Sequence, residues 1–282
     1  MANLLRLAAN KAVRRSSRLL ESMGFQVVAA NYNSPIPRST EMGDSLFNSL
    51  SDCVGIDWNQ AVQEEYLTQV FPKYSGEVKF SENPWISPID ATILHAMIRH
   101  HQPRKIVEVG SGYSTGVVAA AITMSGSGGS EVVAIDPQPR TTLLEDTPGL
   151  SRIIREPIQK VAFREITDCD LLFIDSSHIV KMGGDVNYEI LEIVPRLKVG
   201  AIIHWHDILL PGEYWKDWVT LDHNFWTKQY LLQAFLQFNH DFEIIWSSQY
   251  MSVNSPEAVR STFPEFAPTE SRISSFWIRR IH

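Results

Sequence analysis

Five short apolar runs, each closing on an acidic residue, an imidazole or a turn, order the middle of this chain. They are KIVEVG from Lys105, VVAID from Val132, SRIIRE from Ser151, LLFIDS from Leu171 and AIIHWHD from Ala201. Runs this short, rich in Val, Ile and Leu, read as strands buried on both faces. Helical spacing fills the intervals, over 87–101, 114–124, 141–145, 158–166 and 186–197. Strand and helix in alternation predict an α/β fold, with a mostly parallel sheet and helices on both faces. A helix with an aromatic face follows over 225–238, and then two late strands, FEIIWSSQ from Phe242 and SSFWIRRI from Ser274. Ligands of parallel sheets bind beyond the carboxyl ends of the strands. Glu108, Asp136, Asp175, His206 and Asp207 end these runs, so they should converge on one crevice.

The N-terminal part lacks this rhythm. NYNSPIPRST, from Asn31, carries two prolines and reads as extended or coiled. The stretch Asn83-Pro84-Trp85-Ile86-Ser87-Pro88 is a second joint. The expected organisation is a helical and loop extension over 1–85 and a core domain over 86–282. Arg6, Lys11, Arg14, Arg15 and Arg18, interleaved with leucines, read as a solvated helix or as an amphipathic one that touches a membrane surface or a partner.

The 282 residues carry a net charge of −7, which argues against a nucleic-acid partner held on a basic surface. A small-molecule ligand fits this balance, and homo-oligomer formation stays open. The two cysteines, Cys53 and Cys169, form no CxxC motif and no framework, which favours a reducing compartment. No run reaches the ~18 apolar residues of a membrane span, and no signal-peptide pattern opens the sequence, so a cytoplasmic location is expected.

Glu108-Val109-Gly110-Ser111-Gly112-Tyr113-Ser114 follows a strand and opens a helix. Glycines there let backbone approach a ligand closely. Thr115 and the late Gly116 depart from the GxGxxG spacing of dinucleotide loops. EVGSGYST resembles the first motif of the class I S-adenosylmethionine-dependent methyltransferases, with Ser114 in place of the third glycine. The resemblance implies a Rossmann-like seven-stranded sheet with a late antiparallel strand, supplied by SSFWIRRI. It implies a cofactor site built from Glu108, Gly110, Gly112, Ser114 and Asp136. Asp136 would take both ribose hydroxyls, which suits a bidentate carboxylate. A wider resemblance, through SPIP, DSSH, HWHDILLP and WTKQYLLQAFLQFN, points to a bacterial group of small-molecule O-methyltransferase-like proteins. An acid often precedes QYLL in that group; Lys228 stands there in this chain.

In metal-dependent small-molecule O-methyltransferases the fourth strand ends in Asp and the fifth in a pair of ligands. Asp175 matches the first position, and His206 and Asp207 fall at the pair. His178, three residues after Asp175, falls where such enzymes carry a base. The resemblance thus implies catalytic roles for His178, Asp175, His206 and Asp207. Asp175, His206 and Asp207 would either hold a divalent ion, Mg²⁺ or Mn²⁺, or hydrogen-bond the acceptor without one. The acceptor would be a sugar or secondary metabolite. His204 reads as a packed, hydrogen-bonded histidine. A competing reading makes His204, His206 and an Asp a two-histidine, one-carboxylate iron site of an oxygenase. A third is a non-catalytic binding protein of the same fold.

Overall fold

The structure is a computed structural model that describes residues 13, 16–80, 83–126, 129–139, 147–265, 267 and 271–282. The expected helix over 141–145 and most of the basic N-terminal segment lie outside the described residues. All seven expected strands are present: β1 (Lys105–Val109), β2 (Glu131–Ile135), β3 (Arg152–Ile154), β4 (Leu171–Ile174), β5 (Ile202–Trp205), β6 (Phe242–Ser247) and β7 (Phe276–Arg280). They form one sheet in the order β3-β2-β1-β4-β5-β7-β6. The pairs among β1 to β5 are parallel. β7 runs antiparallel to both β5 and β6, so it is the late antiparallel strand.

Residues along each strand alternate between two cores. Ile106, Val132, Leu171, Phe173 and Ile202 face one, while Val107, Val133, Leu172, Ile174 and Ile203 face the other. This is the two-sided burial that continuous apolar strands require. On the first side lie α1 (Pro88–His101) and α2 (Tyr113–Ser125). The start of α1 is capped by Ser87, whose hydroxyl accepts from the amide of Asp90, with Pro88 at the first helical position.

Some helices are shorter than their spacing suggested. The stretch over 158–166 divides into a 3₁₀ turn at Ile158–Lys160 and a helix at Phe163–Thr167. The aromatic-faced helix starts three residues late, as α3 (Lys228–Leu236). The stretch over 186–197 starts at Asp185 and turns through a π segment, Glu189–Ile193.

The chain divides into two compact units. One comprises 1–47 and 216–225; the other comprises 48–215 and 226–282 and holds the whole sheet. The joint near residue 85 therefore lies inside the sheet-bearing unit, which also includes the helix that begins at Gln60. The first unit contains the short helices Asp44–Phe47 and Lys216–Thr220, joined by an ion pair from Lys216 to Asp44. SPIP lies in that unit as non-helical, non-strand chain. None of the helices among the described residues is long and apolar enough to cross a membrane.

Candidate active site

The parallel register brings the ends of β2, β1, β4 and β5 into line. The amide of Gly110 donates to Ile135 O, that of Asp175 to Val109 O, and that of His206 to Ile174 O. Each run thus hands its first polar residue to the same edge of the sheet.

Gly110 has φ 83°, and a Cβ built on it would lie 2.1 Å from the carbonyl oxygen of Asp175. No other residue fits there. Gly112 is different: its backbone is extended, and a Cβ there would meet nothing within 4 Å. Its value is the open space beside it, which a ligand can use. Ser111 ties this loop to β2, since its amide and hydroxyl both donate to Asp136 Oδ2. Asp136 Oδ1 accepts from the amide of Gln138, so the carboxylate also fixes the turn after β2. A carboxylate has about four acceptor sites, so capacity remains for hydroxyls of a ligand.

Glu108 faces inward. It is fully buried, with Ser114 Oγ donating to one oxygen at 2.5 Å and Thr115 Oγ1 to the other at 2.7 Å. Burial pushes its carboxyl up to about 7, against the two hydroxyl hydrogen bonds, with Asp175 and Asp136 adding to the rise. Glu108 and Ser114 were both expected as cofactor contacts; the structure instead spends them on each other, bracing the first turn of α2. Gly112 and Asp136 are left to meet a ligand. An open glycine beside a strand-end carboxylate fits S-adenosylmethionine.

Beyond Asp175, the loop turns back so that His178 faces Asp207. His178 Nε2 lies 3.6 Å from Asp175 Oδ1 and 3.8 Å from Asp207 Oδ2. The indole of Trp226 packs on the imidazole at 4.2 Å. The carbonyl of His178 accepts from the amides of Thr227 and Lys228, and Ser177 bonds to Asp185 through both its amide and its hydroxyl. Asp207 is held by Ser274, whose hydroxyl donates to its Oδ1 at 3.1 Å. Burial raises the Asp207 carboxyl, and Asp175 adds to this, while His206 and Lys228 oppose it. His178 and Asp207 both hold left-handed backbone, with φ 62° and 54°.

His206 goes elsewhere. Its Nε2 lies 3.2 Å from the carbonyl oxygen of Trp85, and 3.7 Å from Asp207 Oδ1. Burial alone would lower its pKa, yet Asp207, Asp175 and Asp90 outweigh burial and raise it. The donors that converge among the described residues are Asp175, His178 and Asp207, with ligand atoms within 4.8 Å of one another. His178, rather than His206, joins the two carboxylates, because Asp207 leaves the strand in a left-handed turn. His204 is packed between Phe173, at 4.3 Å, and Trp277, at 4.4 Å. Those are its cross-strand neighbours on β4 and β7. Among the described residues its Nδ1 has no hydrogen-bond partner, and burial pushes its pKa well below the usual histidine value. It is packed as expected, but this nitrogen is not hydrogen-bonded, and it joins no ligand cluster with His206.

The spacing of the three donors would suit a divalent ion. Their surroundings do not: Lys228 is 1% exposed and places its charge among the same carboxylates. A resident metal therefore disagrees with the charge of the site. Lys228 was singled out in the sequence only for what it replaced. Gln229 and Asp90 gave no signal at all. Gln229, fully buried, accepts from the amide of Leu209 and donates to Gly212 O, which fixes the turn after Asp207. Asp90 accepts from Ser248, Ser274 and Ser275 across the start of β7. A cavity of about 320 Å³ lined by Arg104, Asp170, Gly200 and Trp277 lies at the amino ends of β1, β4 and β5, the opposite edge from these groups.

Comparison with known proteins adds a family to this geometry. Residues 107–208 match a family model described as a methyltransferase domain. No curated protein matches the chain in sequence. Among solved structures, it is similar to the O-methyltransferase TomG from Streptomyces achromogenes in complex with S-adenosylmethionine. That pair shares 13% identity at a TM-score of 0.44, over 80% of this chain and 92% of that one. The Podospora anserina methyltransferase PaMTH1 gives 14% identity and a TM-score of 0.45, over 92% of this chain and all of that one. An O-methyltransferase from Bacillus cereus gives 13% and 0.42, over 80% and 98%. Likenesses this remote decide nothing about the chemistry of the site. The family match runs from β1 to the end of β5, through the glycine loop and the strand ends that meet at its edge. The segment 107–208 belongs to the methyltransferase-domain family, of the class I S-adenosylmethionine-dependent kind.

Proposed function

We propose that this protein transfers a methyl group from S-adenosylmethionine to a hydroxyl of a small molecule, a sugar or secondary metabolite, with His178 as general base. The observation that carries this reading is His178 Nε2 standing between Asp175 and Asp207 at the edge where the glycine loop ends. When bound, S-adenosylmethionine supplies an electrophilic methyl group on a sulfonium. Gly112 offers the open backbone face along which it would lie, and Asp136 offers carboxylate oxygens to its ribose hydroxyls. Asp175 and Asp207 orient the acceptor and face the imidazole that takes the proton of its hydroxyl at Nε2. The resulting imidazolium is stabilised by two nearby carboxylates. Trp226 restricts the ring to one tilt, which keeps Nε2 toward the acceptor. In the free protein both carboxylates lie beyond hydrogen-bond distance of Nε2. Catalytic contacts of this kind commonly tighten only in the substrate complex.

Isothermal titration with S-adenosylmethionine and S-adenosylhomocysteine tests the reading. Saturable binding of both, weakened by Asp136→Asn, is expected. Absence of binding of either would remove the methyltransferase reading.

A further inference from the structure

Lys228 opens α3, and its amide and that of Thr227 both donate to the carbonyl of His178. The next residue, Gln229, holds the amide of Leu209 just after Asp207. The backbone of residue 228 is thus fastened between the loop after β4 and the loop after β5, beside Asp175, His178 and Asp207. The side chain turns inward and is 1% exposed, and among the described residues its Nζ has no hydrogen-bond partner. Its charge acts on Asp207, Asp175, Glu189 and Asp185. Glu189 is fully buried too, with one oxygen accepting from Ser176 and the other without a partner among the described residues. A buried ammonium is costly unless it is compensated by opposite charge. Here the compensation comes from the carboxylates that a divalent ion would otherwise neutralise.

We propose that Lys228 is the built-in counter-ion of the Asp175 and Asp207 carboxylates, taking the place of a divalent metal so that this site works metal-free. This rests on the methyltransferase reading given above. In this role Lys228 is a positioning residue: it keeps both carboxylates ionised and spaced around His178 without touching the acceptor. An ammonium in the same small volume also repels a dication, so the protein excludes metal by the same charge.

The test is Mn²⁺ binding, read by electron paramagnetic resonance and calorimetry, on the full chain and on Lys228→Met, Lys228→Glu and Lys228→Arg. S-adenosylhomocysteine affinity is measured on each protein. No saturable Mn²⁺ binding is expected in the wild type or Lys228→Arg. Removing the cation in Lys228→Met, or adding a fourth acid in Lys228→Glu, should tighten Mn²⁺ binding at least about tenfold, the scale on which ligand charge tunes such sites. Stoichiometric micromolar Mn²⁺ binding by the wild type would overturn the proposal, as would folded Met and Glu variants that bind Mn²⁺ no better than wild type. Retained S-adenosylhomocysteine affinity identifies a folded variant, and the wild-type and Arg proteins decide the matter should the others not fold. Loss of S-adenosylhomocysteine binding in the wild type would strike the methyltransferase reading instead, so the two failures are distinct.

Discussion

His178 Nε2 lies 3.8 Å from Asp207 Oδ2, and both residues hold left-handed backbone. Two non-glycine residues in that region, facing each other at strand ends, are held there by their surroundings. The carbonyl of His178 is fixed by Thr227 and Lys228, and the side chain of Asp207 by Ser274.

If His178 is the base, His178→Ala should lower methyl transfer by about 10²- to 10⁴-fold, the usual worth of a positioned base. Affinity for S-adenosylhomocysteine should stay near wild type, since His178 lies outside the glycine loop. Transfer of labelled methyl to a panel of phenols, catechols and sugars reads the first quantity, and calorimetry the second. Unchanged transfer would remove His178 from the role.

The two loop glycines should separate folding from binding. At Gly110, a Cβ would meet the Asp175 carbonyl at 2.1 Å with φ at 83°. Gly110→Ala should cost at least about 2 kcal/mol, the scale of strained backbone, measured by denaturant unfolding. At Gly112 a Cβ meets nothing within 4 Å. Gly112→Val should unfold like wild type yet bind S-adenosylmethionine much more weakly, because the new side chain fills the ligand's space.

Glu108 makes stability depend on pH. Its carboxyl is raised from 4.5 to about 7 by burial, so the folded chain holds a proton that the unfolded chain has lost. Between these values the native state binds more protons, and stability falls as pH rises. The contribution is fully present below about 4.5 and is lost by about pH 7, a change of roughly 3 kcal/mol from one group. Denaturant unfolding of the ligand-free protein at pH 5 and 7.5, wild type against Glu108→Gln, isolates it. The variant should lack this slope; parallel profiles would show that the buried carboxyl does not titrate as described.

Asp90 anchors the start of β7 through Ser248, Ser274 and Ser275. Asp90→Ala strands several buried donors, each worth about 1–3 kcal/mol. The expected outcome is a loss of at least about 3 kcal/mol, seen by thermal unfolding. Because Ser274 also holds Asp207, methyl transfer should fall more in Asp90→Ala than cofactor affinity does.

The fold was legible because its cause is local. Five apolar runs of strand length, each closed by a polar residue, are set by neighbouring residues, and every one of them is a strand. The positions of Gly110, Asp136, Asp175 and Asp207 at the strand ends follow from the same pattern. The late antiparallel strand was legible from the resemblance, since SSFWIRRI carries no sign of its direction. What the sequence could not decide was which imidazole faces which carboxylate. His206 is adjacent to Asp207 in the chain, yet it turns to the carbonyl of Trp85, 121 residues away. His178 reaches Asp207 because the loop after β4 is tied to α3. Lys228 comes to the same carboxylates through that tie. Burial, likewise, is a property of the packed chain: it turned Glu108 inward onto Ser114 and Thr115 and left Gly112 open. Local pattern determines where polar groups leave a sheet; only long-range packing determines which of them meet, because that depends on backbone ties between segments far apart in the chain.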